Sequence, residues 1–399
     1  MTKSPHWPTL ISEAFIRASG WVTSAIVLLI VFFLFKEGFG LLNSTPLADS
    51  MTLAVNPTNP VRELTARQVR SLHERSITNW KELGGADQPV FLLNLNNLDK
   101  YVPEDSLGAR FEHLQGILSR FATREPGILF AFPAEYLPAE AVPVQMKNIT
   151  LWDFLAGKEW YPTASPSPEF GALPLILGTF LVTLVAILIA LPLGLAVAIY
   201  LAELADERTR SYLKPAIELL AGIPSVVYGF FGLVVIVPLI KDLFGLSVGE
   251  TALAGSILLA IIALPTIITV SEDSIKSTPR ALKEASLALG ATHWETITRV
   301  IVPYAINGIS AAAILGVGRA VGETMTVLMV TGNAAVIPNS ILVPVRTLSA
   351  TIAAELGEAP QGGLHYQALF LVGCVLFIVT FAFNLFAEYI ASRRNLAAS

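Results

Sequence analysis

Six stretches of roughly 20 or more mostly apolar residues recur along this chain, and a run of that length is what crosses a bilayer's hydrocarbon core. They occupy 21–42, 173–201, 215–240, 251–270, 305–335 and 365–392. Lipid offers no partner for backbone N–H and C=O groups, so each run must close its own hydrogen bonds as a helix. Composition agrees: 14% of the residues are charged and 53% are hydrophobic, whereas soluble domains carry about 25% charged residues. An all-α polytopic membrane protein with six transmembrane helices is expected. The net charge of −5 gives no reason to expect nucleic acid as a partner. Cys374 is the sole cysteine, so no intrachain disulfide forms, and it reads as a small packing residue. Lys3 and Arg17 precede the first run, which is long for a signal peptide and has no clean small-x-small site after it; an uncleaved anchor is expected.

Lysine and arginine set the expected orientation. With the N-terminus inside, the inner segments hold Lys3, Arg17, Arg208, Arg210, Lys214, Lys276, Arg280, Lys283, Arg299, Arg393 and Arg394, eleven in all. The short outer loops hold two, Lys241 and Arg346. Both termini are then cytoplasmic and the long segment 43–170 lies outside. The chain divides into 1–42 (N-terminus and first helix), 43–170 (an extracytoplasmic insertion) and 171–399 (a core of five helices with an inner loop at 271–303).

That inner loop reads as a short helix, a glycine break, a second short helix and a proline entering the next span. Ala281, Ala285, Ala288 and Leu289 recur at helical spacing and make a small apolar face that another protein can approach closely. Gly290 permits a sharp turn that a Cβ would hinder. The fifth run buries Arg319 and Glu323, each costing at least ~2.5–3.5 kcal/mol at membrane depth. Four apart, they are expected on one helix face. Arg319 offers a fixed charge and a fork of donors to an oxyanion. The alternative is an ion pair that locks the helix to its neighbours. Thr324 and Thr326 are either further hydroxyl donors or packing residues. Pro192, Pro224 and Pro265 are expected to interrupt the second, third and fourth spans.

Glu284, Ala285, Gly290, Val300 and Pro303 sit at the spacing of the coupling loop of ATP-binding-cassette (ABC) importer permeases, with Ser286 in place of the second alanine. The run Arg319-Ala320-Val321-Gly322-Glu323-Thr324-Met325 resembles the signature of phosphate importer permeases, their C-subunit (PstC) branch more than its A partner. Residues 178–203, 222–229 and 347–359 are similar to the same family, so the resemblance covers roughly 150–392. It implies the type I ABC importer permease fold in a bacterial inner membrane. Arg319, Glu323 and Thr324 then belong to the substrate pathway, and Glu284, Ala285, Ser286, Gly290 and Pro303 to ATPase coupling. The implied partners are a second permease (PstA-like), cytoplasmic ATPases (PstB-like), an extracytoplasmic phosphate-binding protein (PstS-like), phosphate itself and membrane lipid.

The insertion mixes helical and strand patterns and reads as a small α/β domain. Thr65 is placed to cap a helix over 66–72, and 90–95 and 128–132 read as buried strands. The stretch from Ala54 through Gly85 resembles part of a phosphate-binding periplasmic protein. The Gly-Ser-Gly-Thr turn that cradles the anion in that family is replaced by Asn94-Leu95-Asn96-Asn97. An accessory or docking role is expected rather than independent anion capture. Trp152 and Trp160 are expected at the headgroup level.

The chain has no Gly-x-x-x-x-Gly-Lys-[Ser/Thr] phosphate loop. His6, His73, His113, His293 and His365 lack metal-ligand spacing, and no nucleophile–base set stands out. No cofactor, metal or catalytic residue is expected, and hydrolysis falls to a partner. Two other functions fit less well: an importer of sulfate or molybdate, and a membrane sensor or scaffold that recruits a cytoplasmic protein.

Overall fold

A computed structural model describes residues 7–47, 51–103, 106–108, 111–164 and 167–397, with side chains from Ser12 onward and few beyond Phe386. Lys3 and His6 lie outside the described residues, as do the side chains of Arg393 and Arg394. The chain forms two compact units: Met1–Gly38 with Leu173–Gln361 and Ala368–Ser399, and Phe39–Ala172 with Gly362–Gln367.

Among the described residues, six helices, mostly within the first unit, are long and apolar enough to cross a membrane: Ser12–Asn43 (whose last residues belong to the second unit), Leu173–Leu204, Ser225–Phe244, Ala252–Lys276, His293–Gly322 and Leu364–Phe386 (whose first residues belong to the second unit). The fourth is the centre of the bundle. Its most apolar stretch is 61% buried, against 28% for the second, third, fifth and sixth. Lipid tails are as apolar as leucine, so these helices are held by close van der Waals fit rather than by exclusion from water. Small residues make that fit. A Cβ on Gly194 of the second span would meet Ile267 Cγ2 at 2.7 Å, and one on Gly316 of the fifth would meet Ile267 Cδ1 at 2.9 Å. Ile267 of the fourth span is thus a knob between two glycine notches.

Three expectations about helix continuity are corrected. The second and fourth spans run unbroken through Pro192 and Pro265. The third does not begin at Pro215, which lies inside a separate amphipathic helix, Glu207–Ala221. The break falls at Gly222–Pro224, because a residue before proline, here Ile223, is driven out of helical conformation; Pro224 itself is extended (φ −59, ψ 140) and starts the third span. The fifth starts twelve residues earlier than its apolar run, at His293, where the Thr292 side chain and Glu295 form a capping box. It ends at Gly322, and a short helix, Met325–Val330, follows. Prolines 238 and 303 each follow a π-helical turn, Gly232–Ile236 and Ile297–Ile301, which absorbs the missing N–H.

The second unit is α/β. Its strands are β1 (Met51–Val55), β2 (Glu63–Leu64), β3 (Phe91–Asn94), β4 (Ile128–Pro133), β5 (Val142–Pro143), β6 (Gln145–Met146), β7 (Trp160–Tyr161) and β8 (Glu169–Phe170). Four form one sheet in the order β3-β4-β1-β5, with β3 parallel to β4 and the other pairs antiparallel. Alternate residues of β4 enter two different cores: Ile128, Phe130 and Phe132 pack with Leu114 and Leu118 of the helix Leu114–Arg124, while Leu129 and Ala131 pack with Trp80 and Val69. The sheet is therefore covered on both faces, which is why its strands read as apolar runs. Thr65 caps the helix Ala66–His73 with a full capping box, as its position predicts. Trp160 corrects an expectation: it is buried in an edge-to-face cluster with Phe154 and Phe170, while Trp152 is 75% exposed.

Candidate functional site: the broken helices and the inner loop

Two interrupted helices meet in the first unit. The third span restarts at Ser225 just where the fifth restarts at Met325. Thr326, fully buried, donates from Oγ1 to the Ser225 carbonyl at 2.9 Å. Gly229 lets the two segments approach: a Cβ there would lie 2.6 Å from Met329 Sδ and 3.3 Å from the Thr326 Cα. The freed backbone groups are answered locally. Tyr228 Oη donates to the Leu220 carbonyl at 2.8 Å, and Ser349 Oγ donates to the Glu323 carbonyl at 2.9 Å. Irregular backbone at membrane depth persists where protein covers it or where it lines a cavity.

Arg319 stands one turn before the second of these breaks. Its described hydrogen bond goes to Thr266 Oγ1 on the fourth span, 3.5 Å from Nη1. Among the described ion pairs none involves Arg319. Glu323 does not share its helix face. The helix ends at Gly322 and Glu323 is extended (φ −68, ψ 130), so the four-residue spacing no longer sets the two side chains side by side. The Glu323 carboxylate turns forward and accepts from the Thr326 N–H at 3.4 Å and its hydroxyl at 3.3 Å, capping the next helix. Thr324, half-buried, donates to the Gly322 carbonyl at 3.2 Å. A guanidinium with donors to spare beside two broken helices can take an anion's oxygens.

The inner loop folds as helix Arg280–Ala288, a turn, and helix His293–Thr296. Gly290 sits at φ +87, in the left-handed region, with open space around its Cβ position. Ser286 shares a hydrogen bond of 2.9 Å with Thr296, which folds the first helix onto the second. Glu284 and Ala285 are exposed, and so are Leu282, Leu287, Leu289 and Trp294. Pro303 lies in the first turn after the π-helical segment.

Sequence reading missed the ties between this loop and the spans. Lys283 pairs with Glu203 at the end of the second span. Arg210 of the helix Glu207–Ala221 donates from Nε to the Leu201 carbonyl at 2.8 Å, capping the same span end. Glu272, 1% exposed, is held by Lys276 and by Lys214 at 3.4 Å. Only the Glu272–Lys276 spacing was visible beforehand as a helical pair; the others join residues far apart in the chain.

In the second unit, Asn94 and Asn97 close their turn on each other. The Asn94 N–H donates to Asn97 Oδ1 at 2.8 Å and the Asn97 N–H to Asn94 Oδ1 at 3.0 Å. Both amides are consumed where a phosphate cradle would need them.

Residues 190–396 match the family described as binding-protein-dependent transport system inner membrane component. A probable ABC transporter permease protein, YqgH, of Bacillus subtilis is 44% identical over 244 residues, covering 61% of this chain and 79% of that one. The phosphate transport system permease protein PstC of Mesorhizobium japonicum is 39% identical over 261 residues, with the same two coverages. Among solved structures, an inward-facing MetNI methionine ABC transporter covers 54% of this chain and 92% of its own at 21% identity and a TM-score of 0.44. With more than half its length matched and relatives covered over most of theirs, this chain belongs to the inner-membrane permeases of binding-protein-dependent transport systems.

Proposed function

We propose that this chain forms half of the translocation pathway of an ABC importer for inorganic phosphate. The observation that carries the cargo assignment is Arg319: a guanidinium inside the bundle, without a described ion pair, beside two broken helices. Sequence relatives support the same cargo, being named as phosphate transport permeases at 36–39% identity. Arg319 binds the oxyanion, Thr324 adds a hydroxyl, and Glu323 holds the backbone break and accepts from a protonated phosphate oxygen.

The remaining assignments extend this reading. A second, similar permease completes the pathway, and an external binding protein delivers phosphate. This subunit catalyses no reaction; ATPase subunits engage 281–303, gripping Glu284, Ala285 and Ser286 around the Gly290 turn, with Pro303 fixing where the loop joins the fifth span. Both termini are cytoplasmic and 43–170 lies outside as an accessory or docking domain. Uptake of labelled phosphate by cells carrying Arg319→Gln tests the core of this reading. Loss of uptake with normal insertion and assembly is expected, and unchanged uptake removes Arg319 from the mechanism.

A further inference from the structure

Glu272 is 1% exposed, at the end of the fourth span that leads toward the loop helix Arg280–Ala288. A buried carboxylate needs a counter-charge. Glu272 has two, one on each oxygen: Lys276 of its own helix on Oε1, and Lys214 of the helix Glu207–Ala221 on Oε2 at 3.4 Å. Lys214 also lies 3.9 Å from Asp273. A lysine one turn away already neutralises the charge, and a well-packed apolar side chain often fills such a place without loss of stability. Burial therefore does not account for the second lysine, which comes from another element.

The helix Glu207–Ala221 is held at three points, each on a different span. Near its start Arg210 donates from Nε to the Leu201 carbonyl at 2.8 Å, at the end of the second span. One turn on and on the same face, Lys214 meets Glu272 of the fourth. At its end the Leu220 carbonyl accepts from Tyr228 Oη of the third at 2.8 Å, across the break at Gly222–Pro224. Its 15 residues make an arm about 22 Å long. Pro215 removes one internal hydrogen bond, and the anchors lie on both sides of it.

The arm ends where the pathway begins. Ser225, the first residue of the third span, accepts from Thr326 at 2.9 Å, and the same hydroxyl lies 3.3 Å from Glu323 Oε1. At the other side, Lys276 precedes the loop helix by four residues. Rigid helices joined by ion pairs and hydrogen bonds can carry a displacement from one site to another. Lys283–Glu203 ties the loop to the second span, whereas Glu272–Lys214 ties the fourth span to the third through the arm.

We propose that Glu272 is a positioning residue for transport: through Lys214 it makes the helix Glu207–Ala221 a second coupling arm, which carries movement of the fourth span's end across the Gly222–Pro224 break to Ser225, Thr326 and the Arg319 site. The arm presupposes the ABC importer reading, and its mechanics are the same for any cargo.

The test uses the assembled importer in vesicles, with uptake of labelled phosphate and ATP hydrolysis measured together. Lys214→Met leaves Glu272 neutralised by Lys276 and is expected to lower the phosphate moved per ATP about tenfold. Lys276→Met leaves the arm attached, and its ratio is expected to stay within about twofold of wild type. Lys214→Arg keeps the contact and recovers the wild-type ratio. A second measurement needs no cargo. Spin labels at Leu219→Cys and Ser277→Cys, both exposed positions, in a Cys374→Ala chain of the same complex report the distance from the arm to the end of the fourth span. That distance is expected to stay fixed through ATP binding and hydrolysis when Lys214 is present and to change in Lys214→Met. Equal loss of ratio in the two methionine variants, or a label distance that shifts to the same extent with and without Lys214, overturns the arm. A wild-type complex that hydrolyses ATP and moves no phosphate, while the label distances behave as expected, supports the arm and overturns the cargo reading instead.

Discussion

Lys283 of the loop helix and Glu203 at the end of the second span form an ion pair, Nζ to Oε1 2.5 Å, with the carboxylate 8% exposed and the lysine 23%. Little water screens it, so the loop helix is mechanically joined to the end of the second span. Lys283→Met or Glu203→Gln is expected to lower phosphate uptake about tenfold while ATP hydrolysis by the assembled complex persists, an uncoupled phenotype equivalent to ~1.4 kcal/mol lost from the linkage. The swap Lys283→Glu with Glu203→Lys should recover part of the loss, which a double-mutant cycle quantifies. Two single variants that both transport like wild type would remove the pair from coupling.

Glu323 separates a structural task from a chemical one. Its carboxylate caps the helix Met325–Val330 through Thr326. Glutamine retains an accepting oxygen, so Glu323→Gln should insert and assemble normally. Without the charge, uptake is expected to fall about tenfold, in line with ~1.5–3 kcal/mol for a hydrogen bond to a charged group. Glu323→Ala, which also loses the cap, should reduce thermal stability by a further ~1 kcal/mol. Wild-type uptake in the glutamine variant confines Glu323 to capping.

Gly290 tests the docking surface through backbone alone. Its φ of +87 is costly for a side chain, yet nothing lies within 4 Å of the Cβ position. Gly290→Val therefore strains the turn by roughly 1–2 kcal/mol without a clash and should tilt Arg280–Ala288 relative to His293–Thr296. The ATPase is expected to co-purify at reduced yield, while membrane insertion is unaffected. Full co-purification with full transport is the contrary result.

Much of this was legible before any coordinates. Apolar runs exposed the six spans, because a lipid solvent demands length and composition rather than detailed packing. Thr65, Gly290 and the strands β3 and β4 followed from local chemistry that acts over a few residues, whereas β1 and the two-residue strands did not stand out. The break after Gly322 did not: no proline marks it, and the Glu323 cap depends on a side chain turning forward rather than back toward Arg319. Proline misled in the opposite sense, since Pro192 and Pro265 sit within continuous helices. Trp160 was misplaced because an aromatic near a span end reads alike whether it faces headgroups or packs on Phe154 and Phe170.

The insertion carries a pH signature with a definite sign. Burial holds the His73 imidazole below its ordinary value, against a weaker opposing pull from the Val69 carbonyl 3.2 Å from Nδ1. Above pH ~6.5 the ring is neutral in both folded and unfolded chains and contributes nothing. As pH falls below that, the unfolded chain takes up the proton first, so stability is lost progressively down to the depressed folded value. Glu169 acts in the opposite direction: burial raises it foremost, Arg70 pulls against that, and acidification toward the usual carboxylate range favours the folded state. Replacing one residue isolates its share. In His73→Phe, hydrogen exchange of the 66–74 peptide in the full-length protein should accelerate less between pH 7.5 and 5.5 than in wild type, once corrected for intrinsic rates. Equal acceleration in both would mean that His73 is not the group whose protonation loosens this helix.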